Sequence, residues 1–300
     1  MRAVFDIGSN SVRLAVAELD SGKLREEKEY LAFSRLAEGR AVDGTLTEAA
    51  IDRTLAAVQS LYPKLPAAAQ GPGHLLVTAT AAVRQAPNAG QLTDRLTDLV
   101  QVPVRILSPV EEGYYGYTGA TADAPVSREE AIVLDIGGGS TELSFYHEGR
   151  FQSQSFPYGC LVLKDRPEEI KALVVALDRY LETIDLKGRT CIGVGGTLTT
   201  LAGIVLGLAA YDGQAIHQAA IKRLDWLRFM AAYAGMTAEE RAAIPTLAPE
   251  RRDTILPGLL ILDLVCKALG LEGYLASTKD SLQGLLLSDL YEESGQGRHV

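Results

Sequence analysis

Ala3–Val16 reads AVFDIGSNSVRLAV and Ile132–Phe145 reads IVLDIGGGSTELSF. Laid side by side without a gap, the two stretches share Val, Asp, Ile, Gly, Ser and Leu at matching places. Each is an apolar run ending in Asp, then a turn of small residues, then a second run of alternating polarity, which is the pattern of two strands joined by a tight turn. A turn of Gly, Ser and Asn can aim successive backbone N–H groups into one concavity, a nest for an anion. Glycine adds tolerance of positive φ and close approach of a ligand. Either turn alone is also what a plain hairpin looks like. Two of them, each led by an Asp at a strand end, favour a duplicated domain with two phosphate loops. Gly8, Ser9, Asn10 and Ser11 belong to the first, and Gly137, Gly138, Gly139, Ser140 and Thr141 to the second.

The surrounding chain fits a duplication. After the first hairpin comes a strand pattern near Glu27–Phe33, then helical periodicity over Thr47–Leu65 with Thr47 as N-cap. His74–Val77 reads as a buried strand, Leu92–Val100 as a helix, Val102–Ile106 as a strand and Pro109–Ala122 as a helix. The pattern then restarts with strands at Ala131–Asp135, Thr141–His147 and Arg150–Phe156. A helix over Glu168–Ile184, a strand at Thr190–Val194 and a mostly helical last third follow. The expected fold is α/β: two RNase H-like domains, each a five-stranded mixed sheet with helices, and an interdomain cleft holding the substrate. ADAPVSREE (Ala122–Glu130) is the best boundary. It gives domains 1–123 and 124–280, with a C-terminal helix, 281–300, packing back on the first.

Composition bounds the chemistry. The 300 residues suffice for two ordinary domains. A hydrophobic fraction of 47% and a charged fraction of 22% are those of a globular protein. The formal net charge of −9 argues against general nucleic-acid or anionic-membrane binding, so an anionic substrate must be held by a few placed groups. Cys160, Cys191 and Cys266 lie far apart without a CxxC pair and read as reduced, buried thiols. The four histidines form no ligand spacing. MRAVFDIG runs straight into a strand pattern, so no signal peptide is expected and the location is cytoplasmic. Ile192–Tyr211 carries no charge and is long enough to span a membrane. Its glycines and threonines read better as a buried strand, a glycine turn and a core helix.

Gly193-Val-Gly195-Gly196-Thr197 is a third glycine turn, between a strand and a helix, where free N–H groups and a helix end attract an anion. Tight strand–helix packing explains it nearly as well. Ser108-Pro109-Val110-Glu111 is a capping box with Pro at the first helical position, which gives Glu111 a structural task. Glu112 is left to orient and deprotonate a water. Arg84 can neutralise phosphate oxygens. Asp135 and Glu142 flank the GGGS turn and suit Mg²⁺ or another divalent cation, and Asp6 is the equivalent acid of the first domain.

Taken together, DIGSNSVRL (Asp6–Leu14), TATAAVRQAPN (Thr78–Asn88), SPVEEGYYGYTG (Ser108–Gly119), LDIGGGSTEL (Leu134–Leu143), GVGGTLTTLAG (Gly193–Gly203) and RRDTILPGLLIL (Arg251–Leu262) resemble the exopolyphosphatase / guanosine pentaphosphate phosphohydrolase family. That family belongs to the actin-like ATPase superfamily, and the length resembles its short members. The resemblance implies Glu112 as catalytic base, with Ser9, Asn10, Ser11, Arg84, Gly138, Gly139, Ser140 and Thr141 on phosphate. It also implies Asp135 and Glu142 near the metal. Two departures stand out: Pro109-Val110 where family members often have Gly before the paired acids, and Leu282 where a family Arg sits in an LREG-like run.

The expected activity is Mg²⁺-dependent hydrolysis of the terminal phosphoanhydride of inorganic polyphosphate, short chains favoured, with guanosine pentaphosphate (pppGpp) as the alternative substrate. No nucleic-acid or membrane partner is expected, and a homodimer is left open. More distant alternatives are an actin-like small-molecule kinase and a phosphate-compound sensor without turnover.

Overall fold

The computed structural model describes residues 1–39 and 43–291, without the side chain of Glu26. The expectation for residues 292–300 lies outside the described residues. The chain forms two compact units, Met1–Gly119 with the segment from Ser281 onward, and Ala120–Asp280.

In unit 1 the strands are β1 (Arg2–Ile7), β2 (Ser11–Asp20), β3 (Lys23–Phe33), β4 (Leu75–Ala79) and β5 (Val104–Ile106), with α1 (Glu48–Leu61), α2 (Ala81–Arg84), α3 (Ala89–Val100) and α4 (Pro109–Thr121). The sheet order is β3-β2-β1-β4-β5. β1 pairs antiparallel with β2 and parallel with β4. Thr47 caps α1 as expected, its hydroxyl accepting from the Ala50 N–H.

Side chains alternate across a strand, so the sheet buries two faces. Ala3, Phe5 and Ile7 join one cluster with Leu75, Val77 and α1 residues. Val4, Ala15 and Ala17 join another with Leu282, Leu285 and Leu286 of α12 (Ser281–Leu286). Leu282 is fully buried there. Gly284 lets α12 come this close, since a Cβ would stand 1.9 Å from the Tyr115 carbonyl oxygen.

Unit 2 repeats the plan with β6 (Ala131–Ile136), β7 (Thr141–His147), β8 (Arg150–Phe156), β9 (Thr190–Val194), β10 (Ala220–Lys222) and β11 (Gly273–Ala276). Its order is β10-β11-β9-β6-β7-β8. The expected five strands are therefore six. β10 is a three-residue antiparallel edge on β11, too short to leave a periodic signal. Around the sheet lie α5 (Cys160–Asp165), α6 (Ile170–Leu181), α7 (Gly195–Val205), α8 (Gly213–Ile216), α9 (Arg223–Gly235), α10 (Ala238–Ala242) and α11 (Ile255–Leu269).

The uncharged stretch resolves into β9 and α7, with Thr197 to Gly203 all buried. Among the described residues no helix is long and apolar enough to cross a membrane. The three cysteines are free and buried, as read.

Candidate active site

The two hairpins share one register. Asp6 stands opposite Arg13 and Ile7 opposite Val12 in the first. At the matching places Asp135 stands opposite Glu142 and Ile136 opposite Thr141 in the second. The turns close alike, the Gly8 N–H donating to Ser11 O and the Gly137 N–H to Ser140 O, both at 3.0 Å.

In each unit the chain after the third strand takes the turn's carbonyls. Ser34 and Arg35 N–H donate to Asn10 O at 3.1 and 2.9 Å, and Ala37 N–H donates to Ser9 O at 2.9 Å. Cys160 and Leu161 N–H donate to Gly137 O and Gly138 O, both at 2.9 Å. With the carbonyls held, the amides of Ser9, Asn10, Gly138 and Gly139 find no acceptor among the described residues. Free, oriented N–H groups are what a phosphate nest needs. Asn10 Oδ1 and Ser34 Oγ are likewise buried without a partner. In unit 2 Thr141 Oγ1 donates to Tyr158 O at 2.7 Å and pins the exit of the turn. Gly159 has no room for a side chain, because a Cβ would stand 2.4 Å from the Gly138 carbonyl carbon.

The acids beside the turns differ. Asp6 accepts from Arg13 Nη2 at 2.9 Å, and Arg13 also donates to Ser281 Oγ at 3.2 Å. Asp135 and Glu142, directly opposite on an antiparallel pair, project from the same face, an arrangement of like charges that is destabilising by itself. Ser155 Oγ donates to Glu142 Oε1 at 2.7 Å. Two facing carboxylates suit a hard cation that takes few protein ligands and completes its shell with water and phosphate oxygens. The chemistry of this donor pair fits Mg²⁺. Among the described residues no group of three or more His, Cys, Asp or Glu gathers as a protein-only metal cluster.

The third glycine turn joins the second loop. Gly195, at φ 83°, sits beneath Asp135, whose Oδ1 would be 2.5 Å from a Cβ there. The guanidinium of Arg251 lies on the α-carbon of Gly196. Thr197 is buried against Gly258 of α11. Asp135, Glu142, the GGGS turn, Gly195 and Gly196 thus gather in unit 2.

Asp6, Arg84 and Glu112 gather in unit 1. Ser108 N–H donates to Glu111 Oε2 at 2.9 Å and Glu111 N–H to Ser108 Oγ at 3.2 Å, the reciprocal box read from the sequence. Arg105 adds a third donor to Glu111 at 2.8 Å. Burial pushes the Glu111 carboxyl up, but Arg105 and Ser108 outweigh it and hold the group below its ordinary value.

Glu112 is tied instead to Arg84, whose Nη1 donates to Glu112 Oε2 at 3.0 Å and to Leu107 O at 2.6 Å. Burial raises the Glu112 pKa, Arg84 opposes it, Asp6 adds to the rise and Arg13 subtracts. Sequence reasoning missed the three arginine–carboxylate pairs, Arg13–Asp6, Arg105–Glu111 and Arg84–Glu112, and Gly159 and Arg251. Arg13 and Arg251 stood inside quoted motifs, whereas Gly159 is a lone glycine with no such context.

The model of the Ppx/GppA phosphatase family matches residues 15–293. Exopolyphosphatase 2 of Mycobacterium tuberculosis is 28% identical over 312 residues, covering 95% of this chain and 97% of the relative. The crystal structure of the Aquifex aeolicus Ppx/GppA family member is 27% identical with a TM-score of 0.76, covering 97% of each chain. An exopolyphosphatase structure from Cytophaga hutchinsonii, at 22% identity and a TM-score of 0.84 over 97% of each chain, shares the fold. The two-sheet α/β architecture is the actin-like ATPase fold of those structures.

Proposed function

The chain belongs to the Ppx/GppA phosphatase family, and on that premise we propose that it hydrolyses the terminal phosphoanhydride of inorganic polyphosphate, short chains first, releasing phosphate. The observation that carries this reading is the division of work between adjacent acids. Glu111 is occupied in the capping box, while Glu112 keeps a half-buried carboxylate whose pKa burial raises. A base works best when its pKa approaches the operating pH.

In the proposed step a Glu112 oxygen accepts a proton from water as the water oxygen bonds to the terminal phosphorus. The bridging P–O bond breaks in line and the shortened chain leaves on its oxygen. Gly8, Ser9, Asn10 and Ser11 in unit 1, and Gly137, Gly138, Gly139, Ser140 and Thr141 in unit 2, offer donors to non-bridging oxygens. Gly195 and Gly196 contribute room more than donors. Arg84 shares its guanidinium between Glu112 and phosphate. Asp135 and Glu142 would hold Mg²⁺ or another divalent cation, which neutralises charge on the phosphate oxygens. Asp6 enters as the partner of Arg13. The enzyme is cytoplasmic, in keeping with its reduced thiols, and acts as a monomer or homodimer.

Phosphate release from tripolyphosphate, long-chain polyphosphate and pppGpp, measured side by side with Mg²⁺, tests the proposal. The highest kcat/KM is expected on tripolyphosphate. A preference for pppGpp moves the assignment to guanosine pentaphosphate hydrolysis, and no release from any of the three defeats it.

A further inference from the structure

Asp135, Glu142 and Ser155 stand side by side on three adjacent strands of unit 2. Asp135 on β6 is opposite Glu142 on β7, and Glu142 is opposite Ser155 on β8. Directly opposed residues project from one face. Their chain neighbours Leu134, Ile136, Leu143 and Phe156 all enter the unit 2 core cluster, so this row stands on the other face of the sheet. Glu142 is only 4% exposed. Its Oε1 accepts from the Ser155 hydroxyl at 2.7 Å, and Ser155 is half-buried on the edge strand. The matching register in unit 1 is built otherwise. There Asp6 stands opposite Arg13, and Arg13 opposite Leu31, which is 44% exposed. The hydroxyl is present where the row holds two carboxylates, and an apolar side chain takes its place where an arginine closes the pair.

Repulsion from a facing aspartate favours Glu142 rotamers that turn its carboxylate away. A charge-assisted bond from a hydroxyl fixed on the neighbouring strand counters that by holding the Oε1 end. Groups behind a metal's ligands commonly orient them in this way. We propose that Ser155 is a positioning residue for the cation: it holds Glu142 in the rotamer that lets Asp135 and Glu142 bind one divalent ion. This role rests on the cation pair of the proposed reaction and does not require Glu112 to be the base. Ser153 offers an internal comparison, two residues back on β8 and on the same face. Its hydroxyl is bonded to Ser144 Oγ at 2.9 Å, a neutral partner directly opposite.

Mn²⁺, followed by the loss of its free-ion spin-resonance signal, is titrated into the full chain without substrate and then with inorganic phosphate. Ser155→Ala should weaken Mn²⁺ binding by about tenfold, the low end for losing such a supporting group. Ser155→Thr, which keeps the hydroxyl, and Ser153→Ala, which disturbs the same strand, should both bind as the parent chain does. In turnover, Ser155→Ala should need about tenfold more Mg²⁺ for half-maximal rate and regain the parent kcat once Mg²⁺ saturates. Mn²⁺ binding unchanged in Ser155→Ala overturns the role, and so does an equal loss in Ser153→Ala. Absence of Mn²⁺ binding by the parent chain removes the cation pair and the role of Ser155 with it. A parent chain that binds Mn²⁺ with the help of the hydroxyl but releases no phosphate defeats the proposed reaction alone, and Ser155 keeps its role.

Discussion

The hairpins of Asp6–Arg13 and Asp135–Glu142 have the same strands, the same turn closure and the same register, yet opposite electrostatics. In the first, the residue facing the aspartate is Arg13, and the pair is closed at 2.9 Å. In the second it is Glu142, so two carboxylates share one face. Backbone geometry survives a duplication because it depends on glycine, turn length and strand pairing. Charge at a single cross-strand position is free to change, and it decides which copy can attract a cation. The supports differ too: Ser34 and Arg35 back the first turn, Gly159 and Cys160 the second.

The largest effect tests which unit carries the base. Glu112→Gln keeps size and hydrogen bonding but cannot accept the proton, so kcat should fall by at least ~10²-fold with substrate affinity nearly kept. If turnover persists, Glu112 is not the base; loss of turnover in Glu111→Gln would then reverse the two roles, and if neither change matters Glu142 is next to examine. Gly159→Ala should come second. Its Cβ would strike the Gly138 backbone, and a displacement of about 1 Å at a reacting group costs on the order of 10²-fold in rate. Ser34→Ala, at the corresponding support of the first turn, removes only a hydroxyl without a partner and should leave kcat unchanged. Equal losses in both variants would erase the asymmetry.

Asp135→Asn should raise the Mg²⁺ concentration needed for half-maximal activity by roughly 10-fold or more. Asp6→Asn should leave that concentration alone and lower stability by about 1–3 kcal/mol, since Arg13 loses its carboxylate. A Mg²⁺ shift in the Asp6 variant instead would bring Asp6 into the metal set.

A gentler probe is pH. The base must be ionised, and burial raises the Glu112 pKa, so activity should fall with decreasing pH at values above the ordinary glutamate pKa of 4.5. Arg84 stabilises the ionised form, so Arg84→Met should move the acid limb of the kcat profile further up, and a downward move would contradict the pairing. Smallest of all, Glu111→Gln should keep activity because glutamine still serves the box. Glu111→Ala should cost about 1 kcal/mol in thermal unfolding.

Much of this was written in local residue order. Two Asp-led glycine turns, repeated strand patterns and the Ser108–Glu111 box specify hairpins and a helix start through interactions between residues close in the chain, and the structure shows them. The sixth strand escaped because Ala220–Lys222 has no period of its own and is a strand only by pairing with β11. The engagement of Glu111 in the box, which leaves Glu112 outside it, was legible for the same local reason as the cap.

What tertiary structure alone decided is the set of partners distant in sequence. Arg84 meets Glu112 because parallel β4 and β5 carry α2 and α4 to neighbouring sheet positions. Arg251 lies on Gly196 and the GGGS carbonyls rest on Cys160 and Leu161, across gaps that no local pattern bridges. Local sequence determines backbone conformation through sterics and short-range hydrogen bonds. Charge pairing and burial, and with them the pKa of the proposed base, are set by the packing of segments far apart in the chain.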